Sequence, residues 1–173
     1  MSKKLAIKGE LSFSDIKKDE SVNYLYTSIK DLTDIKNLLP RPSWDEYFCS
    51  IAQLTATRSP CERAHVGAVV VKNNRILSTG YNGFPAGAPH ESVVRDGHEQ
   101  NTIHAEVNAL SYTNRDSIDE NTIIYTTKFP CINCAKMIIT YGIKNVVYME
   151  NYKNDELVIK MFKTGNVNVR QFK

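Results

Sequence analysis

The last third of the chain alternates between strand and helix periodicity, and this restricts the fold more than any other feature. Thr122 to Thr126 is β-rich, Cys131 to Tyr141 has helical spacing, and Lys144 to Met149 returns to strand character. Asp155 to Lys163 is amphipathic and helical up to Gly165, and Val167 to Phe172 is a last strand. A helix between consecutive strands of one sheet requires parallel pairing through right-handed crossovers. The last three strands are therefore expected to be parallel.

Upstream, Ser43-x-x-Glu46 is a capping-box pattern, followed by Tyr47, Ile51 and Leu54 at helical spacing. The first helix should run to about Thr57, before Ser59-Pro60. Val66 to Val71 and Arg75 to Thr79 read as an antiparallel hairpin around Lys72-Asn73-Asn74. A Gly/Pro-rich loop from Gly80 to Pro89 follows, then a polar stretch of no clear period to about Asn101. A second helix should start near Thr102 or Ile103 and reach Tyr112. The order α-β-β-α-β-α-β-α-β predicts an α/β domain of three layers, with helices on both faces of a mixed five-stranded sheet.

A chain of 173 residues suits one domain with a short appendage. Residues 1–40 show no steady period, although Tyr24 to Leu39 suits a weak helix, and Pro40-Arg41-Pro42 interrupts it. They read as an N-terminal extension, flexible or ordered by docking, to a domain over residues 41–173. The balance of 22 basic against 19 acidic residues, net +3, argues against a nucleic-acid-coating surface, and no polynucleotide partner is expected. No run approaches the roughly 18 apolar residues of a membrane span. The N-terminus lacks a secretory pattern, and two of the four cysteines are closely paired, which together suggest the cytoplasm.

That pair carries chemistry. Pro130-Cys131-Ile132-Asn133-Cys134 opens one predicted helix, and His104-Ala105-Glu106 opens another. Cysteines three apart at a helix start present both thiols on one face, where the helix dipole favours the thiolate that binds zinc. One histidine and two thiolates make a three-ligand Zn2+ site with an open fourth position, as hydrolysis requires. Glu106, two residues from a ligand, is placed to shuttle protons. A structural zinc clip would need a fourth protein ligand, and no second Cys-x-x-Cys exists. A redox dithiol would leave His104 and Glu106 without a role.

His-x-Glu with Pro-Cys-x-x-Cys is the known signature of zinc nucleobase deaminases. At these residues the chain resembles the cytidine and deoxycytidylate deaminase superfamily. Arg41-Pro-Ser-Trp-Asp-Glu-Tyr-Phe48, Arg58-Ser59, Val66-Gly-Ala-Val69, Gly80-Tyr-Asn-Gly83 and Gly142-Ile-Lys-Asn-Val-Val-Tyr148 resemble its deoxycytidylate deaminase branch. The resemblance implies hydrolysis of dCMP to dUMP and ammonia, as a supply for thymidylate synthesis. It also implies a homo-oligomer, usually a hexamer, activated by dCTP and inhibited by dTTP with Mg2+.

Carried onto this chain, the resemblance makes His104, Cys131 and Cys134 the zinc ligands and Glu106 the proton shuttle. Asn82 would read base or sugar, or simply turn the chain before Gly83. Arg58 and Tyr152 resemble positions facing the substrate phosphate, and Arg115 is a candidate to reach a neighbouring subunit's site; each is equally readable as an ordinary surface residue. Lys72, Gly80, Tyr81 and Gly83 mark the candidate effector region, where the glycines equally suit a plain turn. Some family members hold a second, structural zinc with a His-Cys pair. This chain departs from that with His90-Glu91, leaving Cys61, His90 and His98 as candidate ligands, with Glu91, Glu99 or Thr102 as a fourth. Cys49 and His65 read as structural. Rival readings are a deaminase of dCTP, free cytosine or tRNA adenosine, and an inactive deaminase-fold regulatory subunit.

Overall fold

Ser43 starts the first helix as its sequence predicts. In the computed structural model, which describes residues 41–96, 98–151 and 155–173 and only the backbone of residue 98, helix α1 spans Trp44–Ala56. Ser43 N donates to Glu46 Oε2 at 2.6 Å, and Glu46 N donates back to Ser43 Oγ at 3.2 Å, completing the capping box. The expectations for residues 1–40 and for Tyr152 lie outside the described residues.

Strands β1 (Gly67–Lys72) and β2 (Arg75–Tyr81) form the predicted hairpin. Asn73 and Asn74 take φ of 49° and 59° at its tip, a left-handed pair that asparagine tolerates. The polar stretch after the glycine loop holds a small hairpin that the sequence did not announce, β3 (Val94–Arg95) and β4 (His98–Glu99). Two-residue strands carry too little pattern to be read. The Glu99 carboxylate organises this hairpin, accepting from the Ser92 hydroxyl, Val93 N and Asn101 N.

Helix α2 (Ala105–Ser111) is followed by a 3-10 turn at Arg115–Ser117, strand β5 (Thr122–Lys128) and helix α3 (Ile132–Tyr141). Strand β6 (Asn145–Glu150), helix α4 (Glu156–Thr164) and strand β7 (Asn168–Gln171) complete the chain. Gly142, at φ 87°, closes α3 in the left-handed conformation that glycine supplies at no steric cost. The sheet order is β2-β1-β5-β6-β7, antiparallel on the β2-β1-β5 side and parallel across β5-β6-β7, as expected.

Alternate residues of the strands serve two cores. Val69, Val71, Tyr125 and Val147 pack with Phe48, Cys49 and Ala52 of α1 on one face. Ala68, Val70, Ile124 and Val146 pack with residues of α2, α3 and α4 on the other. Burial on both faces explains why Val69-Val70-Val71 is an unbroken apolar run rather than an alternating one. The three-layer expectation holds. Asp45 ties α1 to the sheet, accepting from Tyr125 Oη at 2.9 Å and pairing with Arg170 of β7 at 2.6 Å.

Among the described residues, one buried side-chain hydroxyl is unsatisfied. Thr126 is fully buried, and its hydroxyl has no hydrogen-bond partner. Thr126→Val replaces that hydroxyl with a methyl of similar shape and removes a desolvation cost. The variant should be as stable as the parent or more stable by about 1 kcal/mol. Urea unfolding checks this, and a loss of about 1 kcal/mol or more would show that the hydroxyl is in fact satisfied.

Candidate active site and metal centre

Two helix starts meet at the end of β5. Gly83 and Ile103 exchange backbone hydrogen bonds of 3.1 and 2.8 Å, which hold the chain extended until His104. Helix α2 therefore begins two or three residues later than its sequence suggests, with His104 in the N-cap position. Cys131 occupies the same position on α3, directly after Pro130. The strand end delivers Cys131, and the Gly83 bridge delivers His104.

The Nδ1 of His104 lies 3.4 Å from Cys131 Sγ and 3.3 Å from Cys134 Sγ. Ligand atoms of these three residues all lie within 4.8 Å of one another. Two sulfurs and an imidazole nitrogen on such a triangle suit tetrahedral zinc, whose bonds to S and N are about 2.3 and 2.0 Å. The hydrogen bond from Cys134, then that with His104, holds the Cys131 thiol down to about 3, so it is thiolate at neutral pH. His104 is exposed, Cys131 half-buried and Cys134 fully buried.

Glu106 is 4% exposed, in the first turn of α2, with Oε2 at 3.4 Å from Cys134 Sγ. Burial pushes its carboxyl above the ordinary carboxylate range. A carboxyl so raised is a stronger base than one in water. Beside these residues lies a cavity of about 340 Å³, lined by His104, Glu106, Cys131, Asn82, Lys128 and Arg63 among others.

Asn82 faces this cavity, but its amide is already in use. Oδ1 accepts from Val66 N and Nδ2 donates to Ala64 O, both at 2.8 Å. The side chain pins the loop before β1, and an amide in this state keeps one further donor and acceptor. The glycine loop also has structural work to do. A Cβ on Gly80 would lie 2.3 Å from Ala109 N, so this glycine lets β2 meet α2. The Tyr81 carbonyl accepts from Asn108 Nδ2 at 2.8 Å, fastening the same helix.

Lys72 pairs with Asp119 at 2.8 Å and donates to the Ser117 carbonyl at 2.9 Å, so any phosphate there must compete with both. Arg58 is exposed after α1 and is not among the residues lining the cavity. Arg115 donates to the Thr140 carbonyl at 2.7 Å and lies 6.0 Å over the Tyr141 ring, also outside the cavity lining. Cys61 is buried and lines the cavity, whereas His90 is exposed and stacks on Phe84. Neither joins a metal-holding group among the described residues, and the His98 side chain lies outside them.

Sequence reasoning passed over Arg63 and Lys128, which line the cavity among the described residues. Position was the available signal: Lys128 lies three residues before Cys131 at a strand end. Among the described residues, no helix is long and apolar enough to cross a membrane.

Residues 42–150 match the family described as the cytidine and deoxycytidylate deaminase zinc-binding region. The deoxycytidylate deaminase of Saccharomyces cerevisiae is 37% identical over 188 aligned positions, covering 98% of this chain and 60% of that protein. The deoxycytidylate deaminase of Schizosaccharomyces pombe is 39% identical, covering 76% of this chain and 45% of its own length. The chain thus spans about half the length of these relatives. A crystal structure of dCMP deaminase from the cyanophage S-TIM5, in complex with dCMP and dUMP, superposes with a TM-score of 0.67. It is 33% identical and is covered along 100% of its chain by 78% of this one.

Proposed function

Because the chain belongs to the cytidine and deoxycytidylate deaminase family, we propose that it hydrolyses dCMP to dUMP and ammonia, supplying dUMP for thymidylate synthesis. One observation carries the reading: His104, Cys131 and Cys134 converge on a metal-sized triangle with Glu106 buried against it. The cyanophage enzyme's complex with dCMP and dUMP supports the choice of base and phosphate.

His104, Cys131 and Cys134 are the residues that hold zinc. When bound, zinc activates water for attack on C4 of cytosine and leaves two thiolate charges neutralised. Glu106 does the proton work twice over, passing the attacking water's first proton to the ring nitrogen and then the remaining hydroxyl proton to the departing amine, so that both hydrogens of the water are accounted for. Its burial matters, because a carboxylate in water would be too weak a base and too well solvated to cycle efficiently. Asn82 holds the Ala64–Val66 wall of the cavity in place and can offer its remaining N–H to the nucleotide.

Ammonia release across cytosine, deoxycytidine, dCMP, dCTP and an RNA hairpin tests the assignment. dCMP should be the best substrate by kcat/KM. A chain that releases ammonia from none of them is a deaminase fold without the activity.

Metal content gives a second expected outcome. Elemental analysis should find about one tightly held zinc per chain from the three-ligand site. A second equivalent that is lost in Cys61→Ser, with the first retained, would establish the structural site around Cys61, His90 and His98. Stripping the metal should abolish ammonia release, and activity that persists in metal-free protein would overturn the mechanism.

The homohexamer and its control by dCTP and dTTP with Mg2+ belong to this reading through the family resemblance. Sigmoidal dCMP curves that become hyperbolic with dCTP are the expected signature, since an effector acts only by preferring one of two states. Superimposable hyperbolic curves with and without each triphosphate would remove the regulatory part alone.

A further inference from the structure

Lys128 is the last residue of β5 and lines the cavity together with His104, Glu106 and Phe129. Its neighbour in the parallel register is Glu150, and the ammonium is ion-paired with that carboxylate. The lysine side chain is 28% exposed and the glutamate 66%, so the cation is the more enclosed partner. Phe129 N donates to the Glu150 carbonyl at 2.8 Å, which keeps the two strand ends together. Glu99 and Glu106 line the same cavity, and both disfavour an anion. Arg63, the other lining cation among the described residues, is exposed on a loop, whereas Lys128 stands on a paired strand.

We infer that Lys128 selects an anionic nucleotide over the neutral nucleoside, and that Glu150 tunes this selection by competing for its ammonium. This rests on the deaminase reading and adds a specificity residue to it. A phosphate entering the cavity exchanges one charge-assisted contact of Lys128 for another. Glu150 is mostly exposed and regains water when released, so the exchange costs little. A neutral nucleoside offers nothing in return and leaves the pair intact. The nucleotide and the nucleoside should therefore respond differently to changes at these two positions.

Calorimetric binding of dUMP and of deoxyuridine to the zinc-loaded full chain measures this without turnover. Lys128→Gln should weaken dUMP about tenfold while changing deoxyuridine less than about twofold. Lys128→Arg should keep dUMP binding. Glu150→Gln should tighten dUMP about threefold, because the ammonium then has no competing anion. Equal weakening of both ligands in Lys128→Gln would make the lysine structural and overturn the proposal. So would unchanged dUMP binding in that variant, weaker dUMP binding in Glu150→Gln, or a parent that does not bind dUMP. Should Lys128→Gln fail to fold, Glu150→Gln still decides, since it leaves the lysine in place. The ammonia assay separates the two readings: a parent active on dCMP whose variants keep the parent's discrimination refutes only the role of Lys128.

Discussion

Glu106→Gln is expected to lower kcat for dCMP by about a hundredfold to ten-thousandfold while the protein keeps its zinc. Glutamine preserves the size and much of the hydrogen bonding of a side chain that is 4% exposed, so α2 should not move. What disappears is a carboxyl whose proton affinity burial has raised, placed beside Cys134 at 3.4 Å. One group serving several proton transfers should cost more than a single lost hydrogen bond. Steady-state rates with parallel zinc analysis check both halves of the expectation. Activity within about tenfold of the parent would assign the proton work to another group. Loss of zinc would show instead that Glu106 holds Cys134 in place.

Gly67→Ala and Gly80→Ala should each destabilise the protein by about 3 kcal/mol or more, a large share of a typical 5–15 kcal/mol. The added Cβ at Gly67 would sit 2.0 Å from the Ala52 carbonyl oxygen of α1, where no side chain can swing aside. At Gly80 it would sit 2.3 Å from Ala109 N and 2.4 Å from the Ala105 carbonyl oxygen, both backbone atoms of α2. Relief there requires α2 to back away from the sheet, and α2 directly follows His104. Gly80→Ala should therefore weaken zinc retention, whereas Gly67→Ala should act on stability alone. Thermal unfolding and zinc content distinguish them. Gly83→Ala is the control, because its nearest neighbours are side-chain atoms of Tyr81 at 3.0 and 3.4 Å that can yield. Wild-type stability in Gly80→Ala would show that α2 can give way and that this close approach does not require glycine.

The division between what was legible and what was not follows sequence distance. Helix α1 was readable from Ser43 and Glu46 because a capping box is a local structure, closed within four residues. Strands β5, β6 and β7 and their parallel order were readable because intervening helices leave few ways to connect them. The metal triangle was readable because Cys131 and Cys134 share one helix start and few chemistries need a His-x-Glu beside them. The β3-β4 hairpin escaped, since it is held by the Glu99 carboxylate rather than by any period.

The sequence by itself determined the layered α/β class, the three residues that converge as a candidate metal site and the carboxylate buried beside them. Alternating periodicity marks the first, and short motifs at two helix starts mark the others. Only the tertiary structure decided where α2 begins, for the Gly83–Ile103 bridge joins segments 20 residues apart, counted from their numbers. It alone revealed that Gly80 is a helix-packing position, that the Asn82 amide also pins Ala64 and Val66, and that Lys72 is already paired. It also brought Arg63 and Lys128 to the cavity, where Arg58 and Arg115 of the same chain are not among the lining residues. The physical reason is common to all of these. A residue's type states which contacts it can make, but packing of distant segments chooses among them, and that choice depends on non-local neighbours no local pattern names.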